Sequence, residues 1–549
     1  MQQCSFPAIA RSTGTRFAAP LSLVAALGGL TVSTPASARG DLGSDIAALV
    51  SKSGLKDNQV SLSVLEMASG RVVAERQPSA PMAPASNMKV LTTGAALELL
   101  GADFHFQTRL FLEKHGNATR LTVVGGGDPA FGDAELLRNH SWVDEHGAVR
   151  RGVGSTELVD MWAGAVRAAG VARVDELVID ARIFDGAGFH ASWPADQASS
   201  PFCAEVWGLN FRTNTLDVYP TGSGASATIG AMDPPYEWMP RKRSRVSKKG
   251  AAEDFWVGRT PGSNELVIGG GRVRNSKDAL ALTVHETPSL FGELFARRLR
   301  ASGIEVLATR NAAASDPAAS GTPIGCVFQT PIAVALQRAN TDSQNLYAES
   351  LFKRLGAAAA NSGAGAASAL PGPGFVPGSW ENGGAALRAS LATRVGGETV
   401  ANWAIQDGSG LARDNRVTAE GVTLWLRSFA LDPALGPTYF ASFAVAGSTG
   451  TVVNRFASIE KSPVRVECKT GYIRGVSCLS GRVVSPDGQQ YLFSVLGNNL
   501  GGDGVSRARK LQEDVVTRLV RDLEGRLKSA QREEQRSARG SNLAGASRP

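Results

Sequence analysis

Alternating apolar and polar positions mark the first element after the N-terminal region. Val60-Ser61-Leu62-Ser63-Val64-Leu65 has the two-residue period of a strand. A turn at Ala68-Ser69-Gly70 leads into a second predicted strand, Arg71–Glu75. The pattern then becomes almost continuously apolar from Val90 to Leu100, which predicts a buried helix ending at Gly101. From about Phe104 to His285 short strands and turns dominate. Phe106–Leu112 and Leu121–Val124 read as a hairpin pair, and Leu177–Ile183, Glu265–Ile268 and Ala279–Val284 as further strands. Helical texture returns at Ser289–Phe295 and runs to Gly303, then again at Leu346–Leu355 and Trp380–Arg394. Val464–Cys468, Val476–Val484 and Gln490–Leu496 read as three adjacent antiparallel strands. Leu511, Val515, Leu519 and Leu523 repeat every four residues, as in a terminal amphipathic helix.

This succession predicts an α/β (α+β) protein: an antiparallel sheet flanked by helices, interrupted by inserted β-rich domains. The expected partition is a leader at 1–38, a first catalytic segment at 39–104, two nested β-rich inserts at 105–285 and a second catalytic segment at 286–525. A charged tail with small residues, expected to be disordered, occupies 526–549. The Ala/Gly/Pro-rich stretch Ala357–Gly378 reads as a flexible surface loop.

With 549 residues the chain is too long for one ordinary core. It is 43% hydrophobic and 19% charged, a soluble globular composition, and its net charge of +7 is too small and too dispersed to point to nucleic acid. One dense basic run, Arg241–Lys249, has two readings: a solvated loop, or a contact with an anionic cell-wall polymer or membrane surface. Arg11 and Arg16 precede an apolar stretch from Phe17 to Val32, and Ala36-Ser37-Ala38 offers small residues for cleavage. That arrangement predicts export to the periplasm or outside the cell rather than a membrane span. Four cysteines would remain after cleavage. Cys468 and Cys478 flank an expected hairpin turn and are candidates to face each other, with two separate buried thiols as the alternative. The absence of a Cys-x-x-Cys pattern argues against structural zinc, and no cofactor is implied.

The candidate chemistry begins at Ser86-Asn87-Met88-Lys89. Three residues apart on one helical turn, Ser86 and Lys89 share a face, so a neutral Lys89 is placed to take the hydroxyl proton. Ser-x-x-Lys recurs at Ser53, Ser350 and Ser458, so the tetrapeptide alone carries little. Ser86 is singled out by two later motifs and their order along the chain: Ser343-Gln344-Asn345, then Lys469-Thr470-Gly471. Ser343 suits a proton relay. Asn345 suits holding the lysine and a substrate amide. Lys469 and Thr470 suit a substrate carboxylate. Gly471 leaves room for a substrate backbone laid along a strand edge, and the N–H groups of Ser86 and Tyr472 suit an oxyanion. No Gly-x-Ser-x-Gly elbow occurs. Gly125-Gly126-Gly127-Asp128-Pro129 and Gly269-Gly270-Gly271 read as turns rather than phosphate loops.

With these three motifs the sequence resembles the class C penicillin-binding proteins, the D-alanyl-D-alanine carboxypeptidase/endopeptidase family. Further strings match in order: Gly125–Pro129, Ser192-Trp193-Pro194, Asp407-Gly408-Ser409-Gly410-Leu411, Asp414-Asn415-Arg416-Val417-Thr418 and Gly475-Val476-Ser477. The resemblance implies a serine β-lactamase/transpeptidase-like fold split by two nested inserts, and an acyl-enzyme on Ser86. The implied substrates are D-Ala-D-Ala termini or D-Ala-to-diaminopimelate cross-links of peptidoglycan stem peptides, with capture by β-lactams. It further implies a pocket for the free amino end of the stem, with Asp196 as its acid and Leu411, Arg413 and Ile473 as walls. Two readings compete with it, a serine β-lactamase and a non-catalytic cell-wall scaffold. The nearest Glu-x-x-Leu-Asn-like string for a β-lactamase, Glu205–Asn210, has the wrong spacing and precedes Ser343.

Overall fold

The computed structural model describes residues 3–5, 41–139, 142–143, 149–150, 152–244, 254–361 and 370–545, with side chains as far as 536. Most of the predicted leader therefore lies outside the described residues. Of it, only the short strand Gln3–Ser5 is present, parallel to Val327–Gln329.

The catalytic half is built on a six-stranded antiparallel sheet. Its order is Ala444–Val445, Arg465–Ile473, Val476–Val484, Gln490–Gly497, Val60–Glu66 and Val72–Arg76. The alternation in Val60–Glu66 distributes its side chains between two helix layers rather than between core and water. Leu62 and Val64 pack with Ile46 of the helix Leu42–Lys52 and with Leu511, Val515 and Leu519 of the C-terminal helix. Each such fully buried aliphatic side chain contributes about 1.5–3 kcal/mol. On the opposite face Ser61 and Ser63 are small, so a second helix comes close, and Ser63 Oγ lies 2.9 Å from Thr423 Oγ1 of the helix Ala419–Ala430. That layer also holds the helices Met88–Leu100 and Asn345–Ala360, packed over Leu65, Cys478, Leu492 and Leu496.

The insert is larger than its strand texture predicts, and it is not simply β-rich. Its main sheet runs Val327–Pro331, His105–His115, Ala118–Gly125, Arg173–Asp180 and Glu305–Asn311. The last three strands pair in parallel. The helices Ser155–Ala168 and Thr287–Ala301 make the crossovers that parallel strands require. The expected boundary at 285 therefore falls inside the insert, and Thr287–Ala301 belongs to it rather than to the catalytic half. A smaller unit of two three-stranded sheets, Thr215 to Thr283, is nested within it and shares its hydrophobic core. A buried network joins insert to catalytic half: Asp133 accepts from Arg338 and from the Tyr347 hydroxyl.

Two other expectations are corrected. The charged composition past Arg526 predicts disorder, yet the terminal helix Gly504–Gly545 runs through it. Arg526 pairs with Asp522 of its own helix and with Glu66 of the sheet, and the sequence beyond is rich in strong helix formers. Ala357–Ala360, read as loop, completes the helix Asn345–Ala360, while 362–369 lie outside the described residues. In the basic run, Lys242 pairs with Glu265 and Arg243 donates to backbone carbonyls of Ala225 and Gly270; 245–249 lie outside the described residues.

Cys468 and Cys478 do not meet. Cys478 stands opposite Gly471, three residues from Cys468, so the two thiols fall on opposite faces of the sheet and in different cores. Cys203, Cys326, Cys468 and Cys478 are all unbridged and buried. Thiol titration of the protein lacking residues 1–38 is therefore expected to find no fast-reacting group in the native state and four after denaturation. A mass deficit of one bridge between the Cys468 and Cys478 peptides would contradict this arrangement.

Candidate active site

Ser86 lies in a short 3₁₀ turn, Ala85–Asn87, that runs directly into the helix Met88–Leu100. Continuity of the two turns places Lys89 beneath Ser86, inside the protein. Lys89 is fully buried while Ser86 remains partly exposed. Lys89 Nζ lies 3.1 Å from Ser86 Oγ, 2.6 Å from Asn345 Oδ1 and 2.9 Å from the Ser409 carbonyl oxygen. The amide of Asn345 is oriented by a donation from Nδ2 to the Phe202 carbonyl, 2.7 Å. Asn345 Oδ1 and the Ser409 oxygen accept only, so each must face an N–H of the amine. A neutral Lys89 has two N–H groups, and those two acceptors use both. Its lone pair is thereby left pointing toward the Ser86 hydroxyl. Burial pushes the Lys89 amine down to about 8, against the opposing pull of Glu349 and Asp407.

The second and third motifs meet each other. Lys469 Nζ donates to Ser343 Oγ at 2.8 Å and to the Thr470 carbonyl at 2.8 Å. Burial and the nearby Lys89 hold this amine well below its ordinary value. Ser343 adopts a left-handed backbone conformation, φ +61°, at the turn between the helices Ile332–Asn340 and Asn345–Ala360. That turn is tied down by Asn340, whose Nδ2 donates to Thr93 Oγ1 and Ser442 Oγ, and by Gln344 N–H donating to the Arg338 carbonyl.

The strand Arg465–Ile473 is covered on its outer side only as far as Glu467 and Cys468, which pair with Ala444–Val445. From Lys469 onward that edge carries no strand partner among the described residues. Thr470 Oγ1 lies on it, 2.8 Å from Thr451 Oγ1. Tyr472 is 56% exposed, with the Arg509 guanidinium over its ring. Gly471 has a different use from the one its motif suggests. A Cβ there would stand 2.6 Å from the Pro84 carbonyl oxygen, so the missing side chain admits the turn that carries Ser86. Gly410 is required in the same way, since its φ is +82° and a Cβ would stand 1.8 Å from the Ala85 carbonyl oxygen.

The candidate specificity residues have separate surroundings. Leu411 packs with Trp193, Cys203 and Leu346. The Arg413 guanidinium donates to the Arg474 carbonyl, next to Ile473. Asp196 is exposed in the 3₁₀ turn Ala195–Gln197, near Cys203, whose thiol is raised by burial and further by the Asp196 charge. The competing serine–lysine pair Ser350–Lys353 is buried, and Lys353 is bound to Asp185 at 2.7 Å. Glu205, in the string weighed for a β-lactamase, is occupied inside the insert by His285, Trp207 and the Glu286 N–H. Sequence reasoning missed Glu349, a fully buried carboxylate behind Lys89. Its one signal is an acid at i+4 from Asn345, on the same face of the helix. Among the described residues no group of three or more His, Cys, Asp or Glu is placed to hold a metal ion, and no helix is long and apolar enough to cross a membrane.

Residues 42–520 match the model of the D-Ala-D-Ala carboxypeptidase 3 (S13) family. The chain is 28% identical over 509 residues to a D-alanyl-D-alanine carboxypeptidase of Actinomadura sp. strain R39, covering 87% of this chain and 84% of that protein. It is 24% identical over 479 residues to the carboxypeptidase DacB of Mycolicibacterium smegmatis, covering 86% of this chain and 83% of that one. Penicillin-binding protein 4 of Haemophilus influenzae has the same fold, with a TM-score of 0.64 at 21% identity over 86% of this chain and 99% of that one. The serine, lysine and asparagine that meet behind one cleft thus sit in a chain that belongs to the D-Ala-D-Ala carboxypeptidase 3 (S13) family.

Proposed function

We propose that Ser86 is the nucleophile of an exported serine DD-peptidase, with Lys89 as its base. The observation that carries the reading is the position of Lys89 Nζ, shared between Ser86 Oγ and two groups that only accept hydrogen bonds. Lys89 takes the hydroxyl proton as Ser86 Oγ attacks the carbonyl carbon of the penultimate D-Ala. The backbone N–H groups of Ser86 and Tyr472 stabilise the oxyanion. The C–N bond then breaks, and the proton passes by way of Ser343 to the departing amine. Water cleaves the resulting ester, releasing the shortened stem as a carboxylic acid and restoring Ser86. Lys469 and Thr470 hold the substrate's terminal carboxylate, which returns to Lys469 the charge that burial disfavours. The open strand edge from Lys469 to Ile473 receives the peptide as an added strand. The leaving group is D-Ala at a stem terminus or the D-centre of diaminopimelate in a cross-link.

Asp196, with Leu411, Arg413 and Ile473, faces the free amino end of the stem. β-Lactams acylate Ser86 in place of the peptide, in keeping with the β-lactam complex of the Haemophilus protein. Residues 1–38 direct the chain out of the cytoplasm, where peptidoglycan lies. The run Arg241–Lys249 offers a contact with anionic wall polymer.

Ser86→Ala is expected to abolish D-Ala release from a pentapeptide stem. Lys89→Ala is expected to slow penicillin acylation about 100-fold or more, and unchanged labelling would refute its role. The neutral amine is the active form, so acylation should rise with pH through about 8 and fall about tenfold for each pH unit below it. A pH-independent rate between 6 and 9 would refute the neutral-base reading. A penicilloyl adduct stable on mass spectrometry separates the peptidase from a β-lactamase, which would turn penicillin over rapidly.

A further inference from the structure

Behind Lys89 two buried carboxylates, Glu349 and Asp407, hold one stretch of backbone. Glu349 accepts from Ser409 N–H through Oε1 at 2.7 Å, and from Gly408 N–H at 3.1 Å and Trp380 Nε1–H at 2.9 Å through Oε2. Asp407 accepts from the N–H groups of Gly410 and Ala412, from Trp193 Nε1–H and from Asn415 Nδ2–H. Thr92 Oγ1 donates to the Gly408 carbonyl. The peptide from Gly408 to Ala412 is thus pinned at nearly every polar group, and its free acceptor, the Ser409 carbonyl, is aimed at Lys89 Nζ. Nothing in the Ser86, Ser343 and Lys469 motifs uses Glu349.

We propose that Glu349 is a positioning residue for the acylation step. By fixing the Ser409 carbonyl it turns the Lys89 lone pair toward Ser86, and by its negative charge it sets the pH at which that lone pair becomes available. This rests on Lys89 being the base. The three N–H donors require acceptors on both carboxylate oxygens, which only the ionised acid offers without conflict. Glutamine cannot replace it, since its NH₂ would confront an N–H whichever way the amide lies. The charged and titratable groups around the carboxylate are Lys89 in front, Asp407 beside it, Lys353 one turn further along its own helix, and His190 near Asp407 and Lys353. Burial and Asp407 push Glu349 up to about 7 against its N–H donors, so it is still able to carry charge over the pH range in which Lys89 titrates.

The test is the pH profile of penicillin acylation in the full-length protein. Removing the Glu349 charge disfavours the Lys89 ammonium, so Glu349→Gln should move the acid limb about one unit toward lower pH. The released Ser409 carbonyl should at the same time lower the plateau about 10- to 100-fold. Glu349→Asp keeps the charge but not the reach, and should lower the plateau while leaving the limb where the parent has it. The limb is read from whatever fraction is folded, so partial unfolding does not imitate the shift. If Glu349→Gln yields no folded protein, Trp380→Phe decides, because it removes one donor from the carboxylate and should give a smaller shift in the same direction with little plateau loss. An unshifted limb in Glu349→Gln, or in Trp380→Phe when it stands alone, overturns the proposal. The base assignment itself fails separately, by a Lys89→Ala variant that still acylates.

Discussion

A lysine amine with no solvent around it is the constraint on which this architecture depends. Water would keep Lys89 protonated and useless as a base at neutral pH. Burial weakens the preference for the charged form, but a buried amine must have its hydrogen bonds met by protein. Its partners come from three stretches of chain: the Ser86 hydroxyl, on the same helical turn, faces the lone pair, and the two acceptors are Asn345, at the start of a helix after the insert, and the Ser409 carbonyl, in a loop beyond that. Each is held by its own supports. Asn345 is oriented by the Phe202 carbonyl and Ser409 by Glu349. The same amine adds its charge to the burial that weakens Lys469's hold on a proton. Two lysines in one cleft therefore divide the work, one freed to accept a proton and the other waiting for an anion.

The fold serves this convergence by allowing backbones to touch. Gly410 brings the Ser409 loop against Ala85, and Gly471 brings the Lys469 strand against Pro84 and Asn87. Ser61 and Ser63 do something similar one layer down, admitting the Ala419–Ala430 helix against the sheet. The insert is not a passive interruption. Asp133 binds Arg338 and Tyr347 on the helices either side of the Ser343 turn, and Phe202 in the same insert closes the asparagine's hydrogen bonds.

Features that are local or ordered along the chain were legible in the sequence. The three-residue spacing of Ser86 and Lys89 survives as one turn, and the succession of the three motifs survives as two contacts on one turn, Lys89 with Asn345 and Lys469 with Ser343. The central strands and the helices Met88–Leu100 and Asn345–Ala360 follow their apolar patterns. Features that depend on partners far away were not legible. Parallel pairing of Ala118–Gly125, Arg173–Asp180 and Glu305–Asn311 leaves no local period, so Thr287–Ala301 was assignable to either half. Glu349 binds backbone N–H groups, which no side-chain motif reports. Gly471 fits a substrate-facing role by its motif, and only the position of Pro84 shows whose approach it permits. Cys468 and Cys478 look close along a hairpin, but register puts them on opposite faces.

The central claim is a Lys89 amine whose hold on its proton is weakened by the packed protein around it, and nitrogen or carbon NMR of side-chain-labelled lysine in the resting protein reads it directly. With Lys89→Ala used to assign its resonance, the account predicts a titration midpoint at about 8. A midpoint at the ordinary lysine value of about 10.4 would contradict it.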